Sequence, residues 1–254
     1  MDALTLKRKW KDGQPSAGMW LRLTDPTVAE MVADLGYDWV LFDAEHGAYD
    51  LQTLQMMFIA MRRSETAPLV RVPANDPVFI KRVLDCGAAG VLVPQLVSAA
   101  EAQAAVAACK YPPDGIRGAG PRRPSDYWQH MREYIASANE HTIAWVMLET
   151  RAAVEDIDAI LAVPGLDGVI VGPADLANSF GLYADSRQPV VQAAIRTIIE
   201  KARAAGTPFG SGNPGDDHFD WMRQGATLIG LADDEMFLRD GATAALEAFK
   251  RHAS

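Results

Sequence analysis

Apolar residues fall along the chain in short, nearly uninterrupted runs rich in β-branched and aromatic side chains, separated by longer stretches with helical spacing. Eight runs predict strands: Gly18–Leu23, Trp39–Asp43, Pro68–Val72, Gly90–Pro94, Ile143–Leu148, Gly168–Gly172, Pro208–Ser211 and Thr227–Leu231. Their lack of polar alternation marks parallel strands covered on both faces. Between them Pro26–Leu35, Asp76–Cys86, Ser98–Cys109 and Val190–Ala205 read as helices, the first preceded by Asp25 as a cap. Eight strand-then-helix units in 254 residues predict one α/β domain over 1–254, a (β/α)₈ TIM barrel. An open doubly wound sheet would more often have five or six strands, and neither a G-x-G-x-x-G turn after the first run nor a P-loop signature occurs. The connection from Tyr111 to Thr142 is too long for an ordinary turn; it reads as a helix-containing excursion or as an insertion shaping a site or a subunit contact.

The chain holds 33 acids against 24 Lys and Arg, a net charge of −9, so a nucleic-acid partner is not expected. Two cysteines, Cys86 and Cys109, provide neither a disulfide framework nor a zinc cluster and suggest a reducing cytoplasm. No apolar leader or long uncharged apolar stretch occurs, which disfavours secretion and a membrane partner. Lys7, Arg8, Lys9 and Lys11 read as the solvated face of a short leading helix.

In such a barrel the chemistry lies at the carboxyl ends of the strands. There stand Asp43, Glu45 and His46 after the second run, Arg71 at the third, Glu149 after the fifth and Asp175 after the sixth. Glu149 and Asp175 follow consecutive parallel strands, within reach of one cation; without a His or Cys set they suit a hard ion such as Mg²⁺ or Mn²⁺. The alternative makes them helix caps or salt-bridge partners. Flanking acids would charge His46 or orient it as a base. Arg71 reads as an oxyanion stabiliser or as a structural partner of the rim acids. Gly172 to Leu176 resembles a turn into a helix N-terminus, whose free N–H groups suit a carboxylate or phosphate. Lys81, Lys110 and Lys201 lie off the strand ends, which disfavours a Schiff base.

The stretches DWVLFDAEHGAYD, PLVRVPANDPVFIKRVLDCGAAGVLVPQ, YPPDGIRGAG, MLET and LDGVIVGPADLANSFG together resemble the HpcH/HpaI family of class II, metal-dependent 2-oxo acid aldolases, from about Gly18 to Leu231. The resemblance implies a barrel, a divalent metal ion (Mg²⁺, Mn²⁺ or Co²⁺, with Zn²⁺ open) and reversible aldol cleavage of 4-hydroxy-2-oxo acids to pyruvate, or hydroxypyruvate, and an aldehyde. By the same likeness Glu149 and Asp175 hold the metal, His46 is the general base acting through water and Arg71 stabilises enolate charge. It implies further that Ala174 and Asp175 donate backbone N–H groups to the substrate carboxylate. Asp85 resembles an acid that raises the basicity of that histidine from a neighbouring subunit, which implies a homo-oligomer, a hexamer built from dimers; by itself Asp85 reads as a helix-surface residue. The chain departs from the family pattern at Met147, where Gln is usual, at Gln95, where Met is common, and in FGSGNPGDDH after the seventh strand, unlike the usual apolar stretch. Two other readings compete: a citrate-lyase-β-like acyl-CoA lyase, and a non-catalytic protein binding metal and 2-oxo acid. The compact Glu45-His46 pair and the short chain favour the aldolase over the first, and the presence of both His46 and Arg71 disfavours the second.

Overall fold

The computed structural model describes residues 3–213 and 217–253. Its strands are β1 (Ser16–Leu21), β2 (Trp39–Asp43), β3 (Ala67–Arg71), β4 (Gly90–Val93), β5 (Ile143–Leu148), β6 (Gly168–Val171), β7 (Phe209–Ser211) and β8 (Leu228–Asp233). Its helices are α1 (Ala3–Lys11), α2 (Pro26–Ala33), α3 (Leu51–Ala60), α4 (Pro77–Cys86), α5 (Ala99–Cys109), α6 (Met131–His141), α7 (Arg151–Glu155), α8 (Ile157–Leu161), α9 (Pro173–Ser179), α10 (Pro189–Ala205), α11 (His218–Arg223) and α12 (Asp234–Ala253). The eight expected strands are all present, with ends displaced by at most two residues. They pair in parallel in chain order, with β8 against β1, and Thr227 N–H donating to Phe209 O at 3.0 Å brings β7 to β8 in a nearly closed barrel.

Polar residues at the strand-to-helix turns explain where the helices start. Asp25, Asp50, Asp76, Ser98 and Thr150 each accept a backbone N–H of the helix they precede, satisfying first-turn donors. Alternate strand residues then divide the core in two. Val40, Phe42, Val70, Val91, Val146 and Val169 pack outward under the helices, whereas Trp20, Trp39, Leu41, Leu69, Leu92, Trp145 and Ile170 fill the barrel.

The interior continues into α1, which closes the end of the barrel opposite the strand carboxyl termini. Leu6 and Trp10 join the interior cluster, and the Trp10 ring lies 5.1 Å from Trp145. The indole N–H groups of Trp10 and Trp39 both donate to Ser16 Oγ, at 2.7 and 3.0 Å. Two of the basic residues of α1 also depart from the expected solvated face, because the plug needs lateral anchors: Lys7 pairs with Asp167 at 2.9 Å and Lys9 with Asp38 at 2.8 Å.

The 111–142 connection is a helix-containing excursion carrying α6. It returns along the flank of α3 and α4, where Arg123 donates to the carbonyls of Cys86 and Phe58, both at 3.0 Å. The last helix behaves differently from the rest. In α12 only Asp234 is buried, and Phe237, Leu238, Leu246 and Phe249 are 53–68% exposed. Its principal contacts are with β1 and β8, so most of it stands away from the barrel wall.

Trp10→Ala is expected to lower stability by about 3–5 kcal/mol, as truncation of a large buried aromatic does. Urea denaturation would measure this loss, and the strand-end chemistry should survive in the folded fraction because α1 lies at the opposite end.

Candidate active site

Asp43 is the last residue of β2 and is fully buried. Its carboxylate accepts from Arg71 Nε at 2.8 Å and Nη2 at 2.6 Å, across the β2–β3 register that pairs the two residues. Arg22 Nε adds a third contact at 3.0 Å, and Arg22 Nη1 reaches Asp233 at the end of β8 at 2.9 Å. Burial alone would raise the Asp43 pKa, but the two guanidinium groups overcome it and hold it below the usual carboxylate range.

Arg71 is itself buried, with its guanidinium carbon 4.9 Å from the centre of the Trp20 ring. With Nε and Nη2 given to Asp43, Nη1 faces Glu45 Oε2 at 3.1 Å and Met147 Sδ at 3.8 Å. The salt-bridge alternative for Arg71 is therefore present, and the pairing leaves one guanidinium edge aimed into the mouth. Glu45 Oε2 also lies 3.8 Å from His46 Nε2, and burial raises the Glu45 pKa above the ordinary value. The His46 side chain is more than half exposed.

Glu149 is almost wholly buried. Its Oε1 accepts the backbone N–H of Gln95 at 2.7 Å, while Oε2 has no hydrogen-bond partner. Gln95 holds a left-handed backbone, φ 58°, a conformation uncommon outside Gly, Asn and Asp and frequent where a site constrains the chain. Burial raises the Glu149 pKa to about 7, with Glu45 and Asp175 adding to the rise. Gly172 makes room for this carboxyl, since a Cβ there would stand 2.5 Å from Glu149 Oε2.

Neither Glu149 nor Asp175 caps a helix: Thr150 caps α7, and Gly172 occupies the cap position of α9. Asp175, half-buried in the first turn of α9, has no hydrogen bond or ion pair with another described side chain. Ala174 beside it is exposed, and Gly172 brings no side chain to accept from these amides. Among the described residues no three His, Cys, Asp or Glu side chains close on one point, so any cation would rest on two carboxylates with open positions. The donor set fits a hard divalent ion. Glu149 is a buried carboxyl with one bare oxygen, beside a second acid and with no lysine or arginine of its own.

Asp85 lies elsewhere. It sits in the last turn of α4, beside a cavity shared with the first turn of α3, and is not the surface residue its own sequence position suggests: Arg117 Nη2, from the excursion, holds it at 2.8 Å. Lys110, a rejected Schiff-base candidate, bonds the carbonyls of Asn139 and Thr142 just ahead of β5, away from the strand carboxyl ends. Arg22, Asp233 and Asp234 are site residues that the sequence reading passed over. Asp234 accepts the backbone N–H groups of Arg22 and Leu23. An arginine directly after the apolar end of β1 is the available signal. The stretch FGSGNPGDDH is described only in part, residues 214–216 lying outside the described residues; Ser211 ends β7 and its Oγ accepts from Asn213 N–H at 3.1 Å.

The raised pKa of Glu149 carries a sign. Its carboxyl binds a proton more tightly folded than unfolded, so its contribution to stability is present below pH about 4.5 and is lost as pH rises through about 7. Chelator-treated protein should therefore melt at lower temperature at pH 8 than at pH 5.5, and Glu149→Gln should flatten that decline in a calorimetric pH series.

Residues 16–239 match the HpcH/HpaI aldolase/citrate lyase family. A 5-keto-4-deoxy-D-glucarate aldolase of Enterobacter sp. (strain 638) is 36% identical over 235 residues, covering 92% of each chain. A solved HpcH/HpaI aldolase/citrate lyase family protein from Burkholderia cenocepacia J2315 superimposes with a TM-score of 0.92 at 32% identity, covering 97% of this chain and 99% of that one. The citrate synthase SbnG superimposes at 0.88 with 31% identity, covering 98% and 99%. With its (β/α)₈ barrel and these relatives, the chain belongs to the HpcH/HpaI aldolase family of carbon–carbon lyases.

Proposed function

We propose that the protein catalyses divalent-metal-dependent, reversible aldol cleavage of 4-hydroxy-2-oxo acids to pyruvate, or hydroxypyruvate, and an aldehyde. The carrying observation is the bare, buried Oε2 of Glu149 facing the same mouth as Asp175 and the Nη1 edge of Arg71, which Glu45 shares. A divalent ion on Glu149 and Asp175 would supply Lewis-acid polarisation of the keto group of a chelating 2-oxo acid. Arg71 Nη1 donates to the C2 oxygen as it gains charge, its aim held by the Asp43 clamp. The first-turn N–H groups of Ala174 and Asp175 receive the substrate carboxylate. His46, acting through water, takes the proton of the C4 hydroxyl as the C3–C4 bond breaks; its electron pair passes to C3 and the aldehyde leaves. Protonation of C3 completes the ketoacid, and condensation runs through the same steps in reverse. The free Cys86 and Cys109 fit a reducing cytoplasm.

The assembly proposed with this activity is a homo-oligomer, a hexamer built from three dimers by family resemblance. Two observations support it. Among the described residues Asp85 is paired with Arg117 and makes no contact with His46 of its own chain, which fits service to His46 from another subunit. A 20-residue helix with four large apolar residues in solvent also gains little by itself.

The direct test follows deuterium exchange into the methyl group of pyruvate in D₂O with Mg²⁺ present. Exchange is expected and should stop on chelation; binding without exchange would favour a non-catalytic protein, and turnover of an acyl-CoA without aldol cleavage would favour the lyase alternative.

Arg71→Ala should lower kcat by about 10²–10³ in the fraction that folds, and Arg71→Lys should restore only part of it, lacking the planar fork. The melting temperature of Arg71→Ala should fall as well, since Asp43 keeps only Arg22. A large loss of stability with normal kcat would leave Arg71 with a structural role alone. Light scattering of Leu246→Glu/Phe249→Glu should show a smaller particle with unchanged helical content; an unaltered mass would separate α12 from assembly.

A further inference from the structure

Along β5 the side chains alternate, with Ile143, Trp145 and Met147 facing the barrel interior and Ala144, Val146 and Leu148 facing the helices. Met147 is thus the uppermost interior residue of that strand, two positions before Glu149. Its Sδ lies 3.8 Å from Arg71 Nη1. At the other end of the side chain, Cε would stand 2.9 Å from a Cβ on Gly172, the same point that lies 2.5 Å from Glu149 Oε2. A Cβ on Gly212 would meet the same methyl at 2.9 Å and Ile170 at 3.2 Å. Met147 therefore spans the gap between Arg71 and the bare oxygen of Glu149, the two groups that a bound 2-oxo acid engages under the proposed function.

From this placement we propose that Met147 determines donor specificity, forming an apolar floor under the reacting carbon that favours pyruvate over a donor bearing a 3-hydroxyl. The inference rests on the aldolase reading. The floor consists of the Met147 thioether, Ile170, Gly172 and Gly212, and among these side chains only a weakly accepting sulfur could meet a hydroxyl. A hydroxyl placed there gives up water without an equivalent partner, whereas a methyl packs against the Met147 terminus. Apolar pockets reject an added hydroxyl by no more than about 10²-fold, which bounds the selectivity at roughly 10–100-fold in kcat/KM.

The experiment compares initial C3 hydrogen–deuterium exchange of pyruvate and of hydroxypyruvate, by NMR with Mg²⁺ and full-length protein, after subtraction of the uncatalysed rates. Wild type should favour pyruvate. Met147→Gln, which sets an amide at the same height, should shift the ratio toward hydroxypyruvate by at least tenfold, and Met147→Leu should keep the wild-type ratio. Where Met147→Gln fails to fold, Met147→Asn makes the same comparison. Exchange of both donors with a ratio unmoved by the polar variant overturns the role of Met147 and leaves the aldolase reading standing. Exchange of neither donor by wild type overturns both.

Discussion

The mouth of this barrel depends on one buried ion pair. Asp43 and Arg71 face each other in register at the ends of adjacent parallel strands, and two short hydrogen bonds fix the guanidinium plane. An arginine with little solvent and no such clamp would carry a desolvation cost without compensation. Clamped, it gives Asp43 one edge and directs the other, Nη1, at the space beside Glu45, Met147 and Glu149. Arg22 repeats the device one strand away, sharing Asp43 with Arg71 and tying β1 to β8 through Asp233. Both charged contacts cross strand boundaries, so barrel closure and arginine orientation are coupled.

The barrel makes this mouth possible by packing everything below it tightly. Trp20, Trp39 and Trp145 are fully buried in the interior, and α1 seals the far end with Trp10. Polar chemistry is left to one layer, where burial strengthens every charge interaction and makes an unpartnered oxygen costly. Glu149 sits at that boundary. Its strand neighbours are apolar, its Oε1 is bonded to a backbone N–H, and its Oε2 has nothing, which is why its pKa rises while that of Asp43, equally buried but doubly clamped, falls.

Much of this was legible in the sequence because burial writes itself as local pattern. WVLFD and IAWVML are apolar without alternation, which required strands covered on both sides, and the charged residues ending them, Asp43 and Glu149, marked the mouth. What stayed hidden depended on distant partners. The contact of Asp85 with Arg117 spans 32 positions and exists only because the excursion folds back over α4. Arg22 was visible as a charge, but its link to Asp233 requires the first and last strands to meet. That α12 stands off the wall is a tertiary fact with no local signature.

The charges of the mouth also bear on the cation that the proposed function requires. Arg22 and Arg71 face Asp43, Asp233 and Glu45, and their hydrogen bonds and ion pairs are used on those three. Glu149 and Asp175 remain without a positive partner, one of them in a low-dielectric position. A protein can relieve such a pair by protonating it, by pairing it or by binding a metal. Protonation is what the raised Glu149 pKa expresses in a metal-free chain near neutrality, and among the described residues no arginine or lysine is paired with either acid. A divalent ion would satisfy both carboxylates at once and, with only two protein ligands, would keep positions for a substrate that chelates. The excess of acid at this end is therefore the electrostatic complement of the cofactor that the proposed chemistry requires.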